Sequence, residues 1–513
     1  MNEPKLLIDT NILIGLEDNK EVDKNFSSLQ NKCQSNGVQI FVHEASLNDI
    51  ERDKDNPRKK ITISKIAKFP SLDGILLPDK TTLEKTYGPI TKANDWVDVA
   101  LLYTLHEVGA IDFLVTQDRG IHKRASQLDI ADRVFYVEDA LVWLREKYDR
   151  TPVTLPFIEE KKCHQINHQD DIFDSLRRDY TTFDQWFKTS CVKQHRSCWT
   201  INFANEIAGI AIRKDESYSG LISSVPLSEV HFQRPPKKIL KICTFKIKEK
   251  YRGEKFGEQL LKQVLWWAKK NVYDLVYLTI YPKHKNLVDL LLKYGFENIG
   301  RGEGELYLAK SFEFDILKTK SPSSALLYHR QYYPNFISNE SVQKFLIPIR
   351  SDYYATLFPE NVHKKQPGLF DADSGIYGNR ISGNTIRKVY VCRAIISTIK
   401  PGDILLFFHL KDENSFDSQC IVTIGVVDGF DTTNKNEELQ RLTAKRSVFN
   451  QQQLEDFTEG NLKNVKIINF LLARHIDTPF PYNKMESIGI KGPYQSIRSI
   501  TNKHYNQLKS EIE

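Results

Sequence analysis

The sequence has no long uninterrupted apolar segment. No stretch approaches the roughly 18 apolar residues that a membrane-spanning helix requires. The first apolar run, LLIDTNILIGL, has Asp9 and Asn11 inside it, which is unlike the apolar centre of a signal peptide. Internal repeats and low-complexity tracts are absent as well. These absences predict a soluble protein that works in the cytoplasm.

Cysteine is sparse and unpatterned. The chain has seven cysteines and no C-x-x-C motif, which argues against a disulfide framework and fits a reducing compartment. Cys191, His195 and Cys198 lie close in sequence, but no second ligand pair follows at the spacing of a zinc finger. We therefore interpret these three residues as a chance cluster.

Apolar material is sufficient for packed cores. The chain has 513 residues, of which 40% are hydrophobic and 11% aromatic, and this length favours about three domains. The formal net charge of +6 permits contact with an anionic polymer without arguing for it. Acidic residues outnumber basic ones in residues 1–150, whereas the reverse holds in residues 151–329. This difference in charge balance predicts different functions for the two regions.

Three segments differ in their sequence pattern. Residues 1–148 alternate short apolar strands with helical spacing, which predicts a parallel sheet with helices on both faces. Residues 160–315 form a second α/β pattern, in which a Lys-rich strand leads into the amphipathic helix GEQLLKQVLWWAKK. Residues 330–513 read mostly as strands separated by turns such as KPGD. We predict a multidomain α/β protein with domains over these three ranges.

Carboxylates follow the apolar strands of the first segment. Asp9 closes KLLI and Asp118 closes FLVT, while Asp98 begins the helix face that leads into the second of these strands. Asp49 starts the run DIERD after the strand QIFV, with Glu44 nearby. Because ligands collect at the carboxyl ends of parallel strands, we expect these acids to converge at one edge of the sheet. Oxygen ligands suit Mg²⁺ or Mn²⁺, which would activate water for attack on a phosphodiester.

The motifs LLIDTNILI, DIERD, DVALLYTL and FLVTQDRGIHKRA resemble the ordered acidic motifs of the PIN-domain nucleases. The resemblance covers nearly the whole first segment and implies that Asp9, Asp49, Asp98 and Asp118 are the catalytic metal ligands. Family members usually have Glu at the second position, so Glu44 competes with Asp49 for that role. The family implies cleavage of single-stranded or structured RNA, often by a toxin that a partner protein, an antitoxin, inhibits.

Several details of this predicted site stay open. Asp95, one turn before Asp98, is either an accessory ligand or a solvated neighbour. Thr10, Asn11 and Thr116 are candidates for orienting the acids. A degenerate PIN fold that only binds is the competing interpretation, which the presence of all four acids disfavours.

The middle segment contains YRGEKFG between a Lys-rich strand and an amphipathic helix. Backbone N–H groups at a Gly-containing helix start can cradle a pyrophosphate, although a tight turn before any helix explains two glycines equally well. The following YLTIYPKHKNLVDLLLKYGFENIG makes this segment similar to the second half of the GNAT acyltransferases. The resemblance implies acetyl-CoA as cofactor, with Arg252, Gly253, Lys255 and Gly257 at its pyrophosphate and Asn286 near its pantetheine arm.

One position departs from the GNAT pattern, because the family usually has Gly where Lys255 stands. A Lys backbone amide still donates a hydrogen bond, so the cofactor prediction is kept. Tyr294 and Tyr307 are candidates for a general acid, but aromatic residues on a core face explain both more simply. Alternatively, the cations from Arg234 to Lys255 contact RNA phosphates or form a solvated surface. Cofactor binding without catalysis also stays open.

The last segment joins a basic stretch, GNRISGNTIRKVYVC, to the turn KPGD and to the later IGIKGPYQSIRSITNKHY. This arrangement resembles the EVE and ASCH members of the PUA-like β-barrels. The resemblance implies a pocket that reads a nucleobase or a structured RNA by aromatic stacking and basic contacts. Candidates for that pocket are Tyr390, Arg393, Phe407 and Tyr494, of which about half are expected in the barrel core.

These patterns together predict a metal-dependent, toxin-like ribonuclease that cleaves tRNA or another structured RNA. Its acetyl-CoA-binding domain would acetylate a partner or regulate cleavage, and its barrel would select the RNA. The alternative is an N-acetyltransferase that the flanking domains direct to RNA or RNA-associated substrates. A non-catalytic RNA-binding scaffold is the third interpretation.

Overall fold

The fold is that of a computed structural model. It describes residues 4–9, 11–12, 24–51, 56–128, 130–148, 156–225, 232–317, 321–359, 385–411, 418–444, 446, 449, 451–458, 464–492 and 494–512. Among these residues no helix is long and apolar enough to span a membrane. Their strands form three sheets.

The first segment folds into a parallel sheet with helices. Its elements are β1 (Lys5–Ile8), α1 (Lys24–Ser35), β2 (Gln39–His43), α2 (Glu44–Glu51), α3 (Asn56–Ile66), β3 (Ser71–Leu72), α4 (Lys80–Tyr87), α5 (Ala93–Tyr103), β4 (Phe113–Val115), α6 (Arg119–Gln127), β5 (Val134–Phe135) and α7 (Val137–Tyr148). The strand order is β3-β2-β1-β4-β5, and each neighbouring pair is parallel.

Apolar residues alternate between the two faces of this sheet, as the strand period of two requires. Leu6 and Ile8 of β1 pack with residues of α1 and α7, whereas Leu7 packs with residues of α5. All three side chains are fully buried. The predicted parallel sheet with helices on both faces is therefore confirmed.

The middle segment folds into a seven-stranded sheet. Its elements are β6 (Phe157–Lys162), α8 (Asp174–Asp179), α9 (Phe183–Trp186), β7 (Ser197–Phe203), β8 (Glu206–Glu216), α10 (Tyr218–Ser224), β9 (Ile239–Ile247), α11 (Phe256–Lys270), β10 (Leu275–Ile280), α12 (Lys285–Lys293), β11 (Glu297–Gly302) and β12 (Glu305–Ser311). The strand order is β11-β12-β10-β9-β8-β7-β6. β9 and β10 pair in parallel, and the other neighbouring strands are antiparallel.

The amphipathic helix that the sequence predicts is α11. Its apolar face packs onto the sheet, because Leu260, Leu261, Val264 and Leu265 recur at helical spacing and are buried. Lys269 and Lys270 in its last turn interact favourably with the negative end of the helix dipole. α11 thus begins at the end of the YRGEKFG loop, and its buried apolar face fixes its position on the sheet.

The last segment contributes a third sheet. Its elements are α13 (Ala325–Tyr332), β13 (Lys344–Ile349), α14 (Ser351–Leu357), β14 (Arg387–Cys392), β15 (Ile404–His409), β16 (Cys420–Thr433), α15 (Asn436–Thr443), α16 (Gln451–Thr458), β17 (Val465–Pro481), α17 (Tyr482–Ser487), β18 (Arg498–Ile500) and α18 (Asn502–Ile512). The strand order is β14-β17-β16-β15-β13-β18. Among the described strands β14 and β18 are edges of this sheet, so the predicted closed PUA-like barrel is not found there.

The chain divides into two compact units. Unit 1 comprises Met1–Thr151, Thr433–Lys445 and Phe449–Asn461, and unit 2 comprises Pro152–Thr432, Arg446–Val448 and Leu462–Glu513. Within unit 1, Ala444 packs against the cluster that contains Leu6, and Lys147 donates to Gln440 at 3.0 Å. The predicted boundaries place α15 and α16 in the last segment, whereas these helices pack in unit 1.

Unit 2 has a core that the middle and last segments share. The cluster under α11 also contains Tyr333, Ile386 and Leu471 from the last segment. Trp266 of α11 donates to the Tyr333 hydroxyl at 2.9 Å, and that hydroxyl donates to a backbone carbonyl of β17 at 2.8 Å. The last segment is therefore part of the packing that positions α11.

Candidate functional site

The middle sheet opens between β9 and β10. These strands pair only at their beginnings, and the last pair joins Tyr277 to Lys241. β9 nevertheless continues to Ile247 along β8, and β10 continues to Ile280 along β12. Beyond the last pair, the facing strand edges have no ladder partner in the described part of the chain. We call this opening the split.

The chain passes from β9 into α11 through the YRGEKFG loop. Gly253 has a φ of +87°, and Lys255, directly before the helix, has a φ of +60° and a ψ of +12°. Both values lie in the left-handed region that favours glycine. Lys255 is the position that departs from the GNAT pattern, and it keeps the glycine-like turn at a cost of about 1 kcal/mol.

The N-terminus of α11 has no side-chain cap. Lys255 makes no side-chain capping hydrogen bond, and the N–H of Gln259 bonds to the Lys255 carbonyl at 3.0 Å. The backbone N–H groups of Phe256, Gly257 and Glu258 precede this first helical bond. The start of this 15-residue helix therefore offers donors and partial positive charge to an anion.

The other predicted cofactor residues lie around this helix start. Arg252 is half exposed, and its guanidinium donates to Glu249 at 3.1 Å. A Cβ added at Gly257 would lie 3.4 Å from Leu290 of α12, so a small side chain would need little adjustment. Asn286 is exposed in the first turn of α12. The structure thus brings together the four loop residues, while Asn286 lies on a separate element.

Four of the nine cations in the Lys/Arg run from 234 to 255 form described ion pairs with carboxylates of the same unit. The described ion pairs of the run are Arg234 with Glu313 and Asp315, Lys248 with Asp170, Asp171 and Glu206, Lys250 with Glu206, and Arg252 with Glu249. Lys248 is buried among its partners. For these four cations the contacts disfavour the interpretation as a surface for RNA phosphates.

A buried acid lies in the first turn of α11. Glu258 accepts hydrogen bonds from the backbone N–H groups of Ile386 at 2.9 Å and Arg387 at 3.0 Å. The Arg446 guanidinium lies 3.3 Å from its Oε2. Burial alone would raise the pKa of Glu258, but Arg446 and Lys293 outweigh burial and hold this pKa at about 2. Sequence analysis missed this ion pair because its partners are 188 residues apart.

The two candidate general acids lie in hydrophobic clusters. Tyr294 packs under α11, and Tyr307 packs on the opposite face of the sheet. The Tyr294 hydroxyl is buried without a hydrogen-bond partner among the described residues. Burial raises the pKa of this hydroxyl well above its usual value, so it stays protonated. Both positions fit the core interpretation.

Three of the four predicted acids of the first segment lie close together. Asp9 is buried, and its Oδ2 accepts from the Thr116 hydroxyl at 2.7 Å. That hydroxyl accepts from the Asp118 N–H at 2.9 Å. A Cβ at Gly120 would lie 2.8 Å from Asp118 Oδ1 and 3.8 Å from Asp98 Oδ2. Burial, Asp118 and Asp9 together raise the pKa of Asp98 to about 7.

Two of the acids considered for the predicted metal site cap helices. Asp118 Oδ1 accepts from two backbone N–H groups at the start of α6, at 2.5 and 3.2 Å. Asp95 accepts from the N–H groups of Lys92 and Thr91, both at 2.8 Å, at the start of α5. These bonds lower the pKa of Asp95 to about 2. Asp95 is therefore a structural residue rather than a solvated neighbour.

The remaining polar residues of the predicted metal site are described in part. Asp49 lies in α2 but its side chain is outside the described residues, as is the whole of Thr10. Glu44 accepts a backbone N–H at 3.1 Å, and Asn11 donates to the Thr116 hydroxyl at 3.2 Å. Where side chains are described, no group of three or more His, Cys, Asp or Glu residues is placed to hold a metal. The four-acid set with Mg²⁺ or Mn²⁺ stays a prediction.

The predicted base-reading residues of the last segment lie in different surroundings, although the rings of Tyr390 and Phe407 are in contact. Phe407 is fully buried, and Tyr390 donates its hydroxyl to the Pro348 carbonyl at 2.8 Å. Tyr494 donates to a backbone carbonyl at 2.5 Å, and Arg393 is exposed. Tyr390, Phe407 and Tyr494 thus contribute to the packing of the sheet, whereas the sequence predicts this for about half of the four.

Comparison with known proteins identifies the middle segment. Residues 161–296 match the family described as Acetyltransferase (GNAT) family. No curated protein matches the chain. The chain therefore contains a GNAT acetyltransferase domain, which lies inside the predicted range of 160–315.

Several solved structures are similar to parts of the chain. ASCH from Zymomonas mobilis is 10% identical, over 33% of this chain and 96% of its own, with a TM-score of 0.24. A GNAT family acetyltransferase from Elizabethkingia anophelis with acetyl-CoA bound is 16% identical, over 30% and 97%, with a TM-score of 0.22. The IAA acetyltransferase from Bacillus cereus is 13% identical, over 31% and 99%, with a TM-score of 0.21. TM-scores this low assign neither fold nor function.

Proposed function

We propose that the protein is an N-acetyltransferase that transfers an acetyl group from acetyl-CoA to an amine. The observation that carries this proposal is the split beside the uncapped start of α11. Unpaired strand edges can hydrogen-bond the amides of an extended arm, and helix N–H groups can bind a pyrophosphate. Both features belong to the domain at residues 161–296.

The residues present fit acetyl-CoA. The N–H groups of Phe256, Gly257 and Glu258 would hold the pyrophosphate, with Arg252 and Lys255 adding positive charge. The edge of β9 beyond its last pair with β10 would hold the pantetheine arm. The glycine-like turn before the helix would let the backbone approach an anion for these contacts.

Acetyl-CoA supplies a thioester carbon to which an amine nitrogen bonds as the carbon–sulfur bond breaks. The amine must lose a proton before it attacks, and the departing sulfur must gain one. The chain's own task is to hold the amine at the split and to exclude water. The fully buried Tyr294 remains in the core, so no proton transfer is assigned to it.

Reversing the charge at the helix start tests the cofactor site. Lys255→Glu is expected to weaken acetyl-CoA binding by about tenfold or more, because it places a carboxylate beside the pyrophosphate. Lys255→Gly keeps the turn and its backbone donors, so its affinity should stay within about threefold while stability rises by about 1 kcal/mol. Isothermal titration calorimetry with acetyl-CoA measures both variants against the unchanged chain.

Turnover is measured as release of CoA thiol in the presence of primary amines. The unchanged chain should release CoA in an amine-dependent way, and Lys255→Glu should lose most of this rate at low acetyl-CoA. Equal affinities for the Glu and Gly variants would place the cofactor elsewhere. Binding without amine-dependent release would reduce the domain to a sensor of acetyl-CoA.

A second candidate function is metal-dependent cleavage of RNA by unit 1. The observation that favours it is the proximity of Asp9, Asp98 and Asp118, which share Thr116 and Gly120 as neighbours. Carboxylates gathered at a strand end are the ligands that Mg²⁺ or Mn²⁺ prefers. In this proposal a tRNA or another structured RNA is the substrate, and an inhibitor protein would restrain the activity.

Total RNA incubated with the full chain and Mn²⁺ or Mg²⁺ tests the second candidate. Discrete fragments are expected, and the Asp9→Asn, Asp98→Asn double variant should abolish them. Asp95→Asn is the matched control, because Asp95 caps α5 and should affect stability rather than cleavage. RNA that stays intact with every metal would reject the nuclease and leave the acetyltransferase as the activity of the chain.

A further inference from the structure

Two charged side chains lie on the face of the middle sheet opposite α11, one on β9 at the split and one on β12 next to β10. Phe245 and Ile247 of β9 pack against the cluster under α11, so Lys246 between them points to the other face. Leu306 of β12 packs against the same cluster, so Glu305 before it also points to the other face. An acceptor that meets an acyl group in the split must come from this face, because α11 covers the first.

Helix α8 and the residues directly after it contact both strands that border the split, β9 and the end of β10. Lys246 donates to the Ser175 hydroxyl on the β9 side. Tyr180 stacks on Tyr281 on the β10 side, with ring centroids 5.6 Å apart and planes 30° apart. The segment from Ser175 to Tyr180 is therefore held to both sides of the split on this face.

A hydrogen bond from Tyr180 orients the carboxylate of Glu305 on this face of the sheet. The Tyr180 hydroxyl donates to Glu305 Oε1 at 2.8 Å. Burial and this hydrogen bond raise the pKa of Tyr180, so the hydroxyl remains a donor at neutral pH. Glu305 itself is half-buried, and in the described part of the chain its Oε2 accepts no hydrogen bond. One carboxylate oxygen is thus fixed and the other is open.

An ammonium group matches this arrangement. A partly buried carboxylate with an open oxygen forms charge-assisted hydrogen bonds with N–H donors, and tyrosine faces attract cations. The chain shows the same chemistry with its own lysine. Lys283 Nζ lies 2.6 Å from Asp179 and 5.4 Å from the centre of the Tyr281 ring. A second ammonium would find an equivalent pair, a carboxylate beside a tyrosine, at Glu305 and Tyr180.

We propose that Glu305, oriented by Tyr180, binds an ammonium group of the acceptor other than the amine that reacts, and that this acceptor is therefore a diamine. The proposal rests on the proposed acetyl transfer and specifies its acceptor. Glu305 is then a specificity-determining residue, and Tyr180 is a positioning residue that acts through it.

The test compares a charged and an uncharged amine. CoA release is measured with putrescine, cadaverine and lysine, which carry a second ammonium besides the reacting amine, and with methoxyamine, which is uncharged at neutral pH. Glu305→Gln should raise the KM for the cationic amines by about tenfold or more and leave the KM for methoxyamine within about twofold. Tyr180→Phe should raise the cationic KM by about threefold. The affinity for acetyl-CoA should not change in either variant.

Glu303→Gln is the matched control. Glu303 lies in the same hairpin turn and is exposed, so its replacement removes one nearby charge without touching the Tyr180 contact. An equal rise for Glu303→Gln and Glu305→Gln, or an equal rise for charged and uncharged amines, would overturn the assignment of Glu305. Acetyl-CoA binding without release to any amine would overturn the acceptor class, whereas absence of acetyl-CoA binding would reject the proposed function itself.

Discussion

Replacing Arg446 with methionine is expected to destabilise unit 2 by about 3–5 kcal/mol. The change removes the guanidinium that lies 3.3 Å from Glu258 Oε2 and leaves the carboxylate buried. Its described hydrogen bonds would then come from two backbone N–H groups. In calorimetry, the unfolding transition of unit 2 should fall by about 4–7 °C.

Two further variants separate charge from packing. In the double variant Glu258→Gln, Arg446→Met no buried charge remains at this position, so most of the lost stability should return. Arg252→Met removes a half-exposed ion pair near the same helix start and should cost less than about 1 kcal/mol. If Arg446→Met were as mild as Arg252→Met, the buried pair would contribute nothing to stability.

The same ion pair bears on the proposed cofactor site. Glu258 lies in the first turn of α11, where a negative charge opposes the binding of a pyrophosphate. Arg446 neutralises that charge from the last segment of the chain. We therefore expect Arg446→Met to weaken acetyl-CoA binding as well, and the double variant to restore it.

Gly295→Ala is expected to destabilise unit 2 by about 3 kcal/mol or more. Gly295 has a φ of +80°, and an added Cβ would lie 2.7 Å from the carbonyl carbon and 2.8 Å from the Cα of Gln331. Both atoms belong to the backbone of α13, so neither can rotate away as a side chain would. Thermal unfolding of the variant measures the cost.

Gly304→Ala is the control for this change. Gly304 has nearly the same φ, +81°, but an added Cβ would find its nearest neighbour, a Tyr281 ring carbon, at 3.8 Å. Its cost should be that of a left-handed alanine alone, about 1 kcal/mol. Equal losses for the two variants would mean that α13 shifts to accommodate the added Cβ, so that its backbone does not restrict residue 295.

The features that sequence analysis predicted correctly are local ones. The helix α11 follows from apolar residues at a spacing of three and four, and the turn before it follows from YRGEKFG. The parallel sheet of the first segment follows from short apolar strands that alternate with helices. In each case the residues that decide the structure lie within a few positions of one another.

The features that were missed depend on pairing between distant residues. β14 pairs with β17, where Arg387 opposes Leu471, and no local pattern specifies that partner. From the sequence, Glu258 is an ordinary acid in the first turn of a helix, and only the structure shows its ion pair with Arg446. The acidic motif predicted a metal site, yet Asp118 also caps α6. An aspartate directly before a helix is as suitable for capping as for binding a metal, so the sequence does not distinguish the two roles.

The path of the chain sets the order in which the units can be completed. Unit 1 begins with the first strands but includes Thr433–Lys445 and Phe449–Asn461. During synthesis, those residues leave the ribosome only after the whole acetyltransferase domain and most of the last sheet have been made. Unit 1 therefore cannot be completed until these residues have been synthesised. Until then, the part of its hydrophobic cluster that packs against Ala444 remains exposed. A nascent chain that stopped early would carry an acetyltransferase domain beside an unfinished first unit.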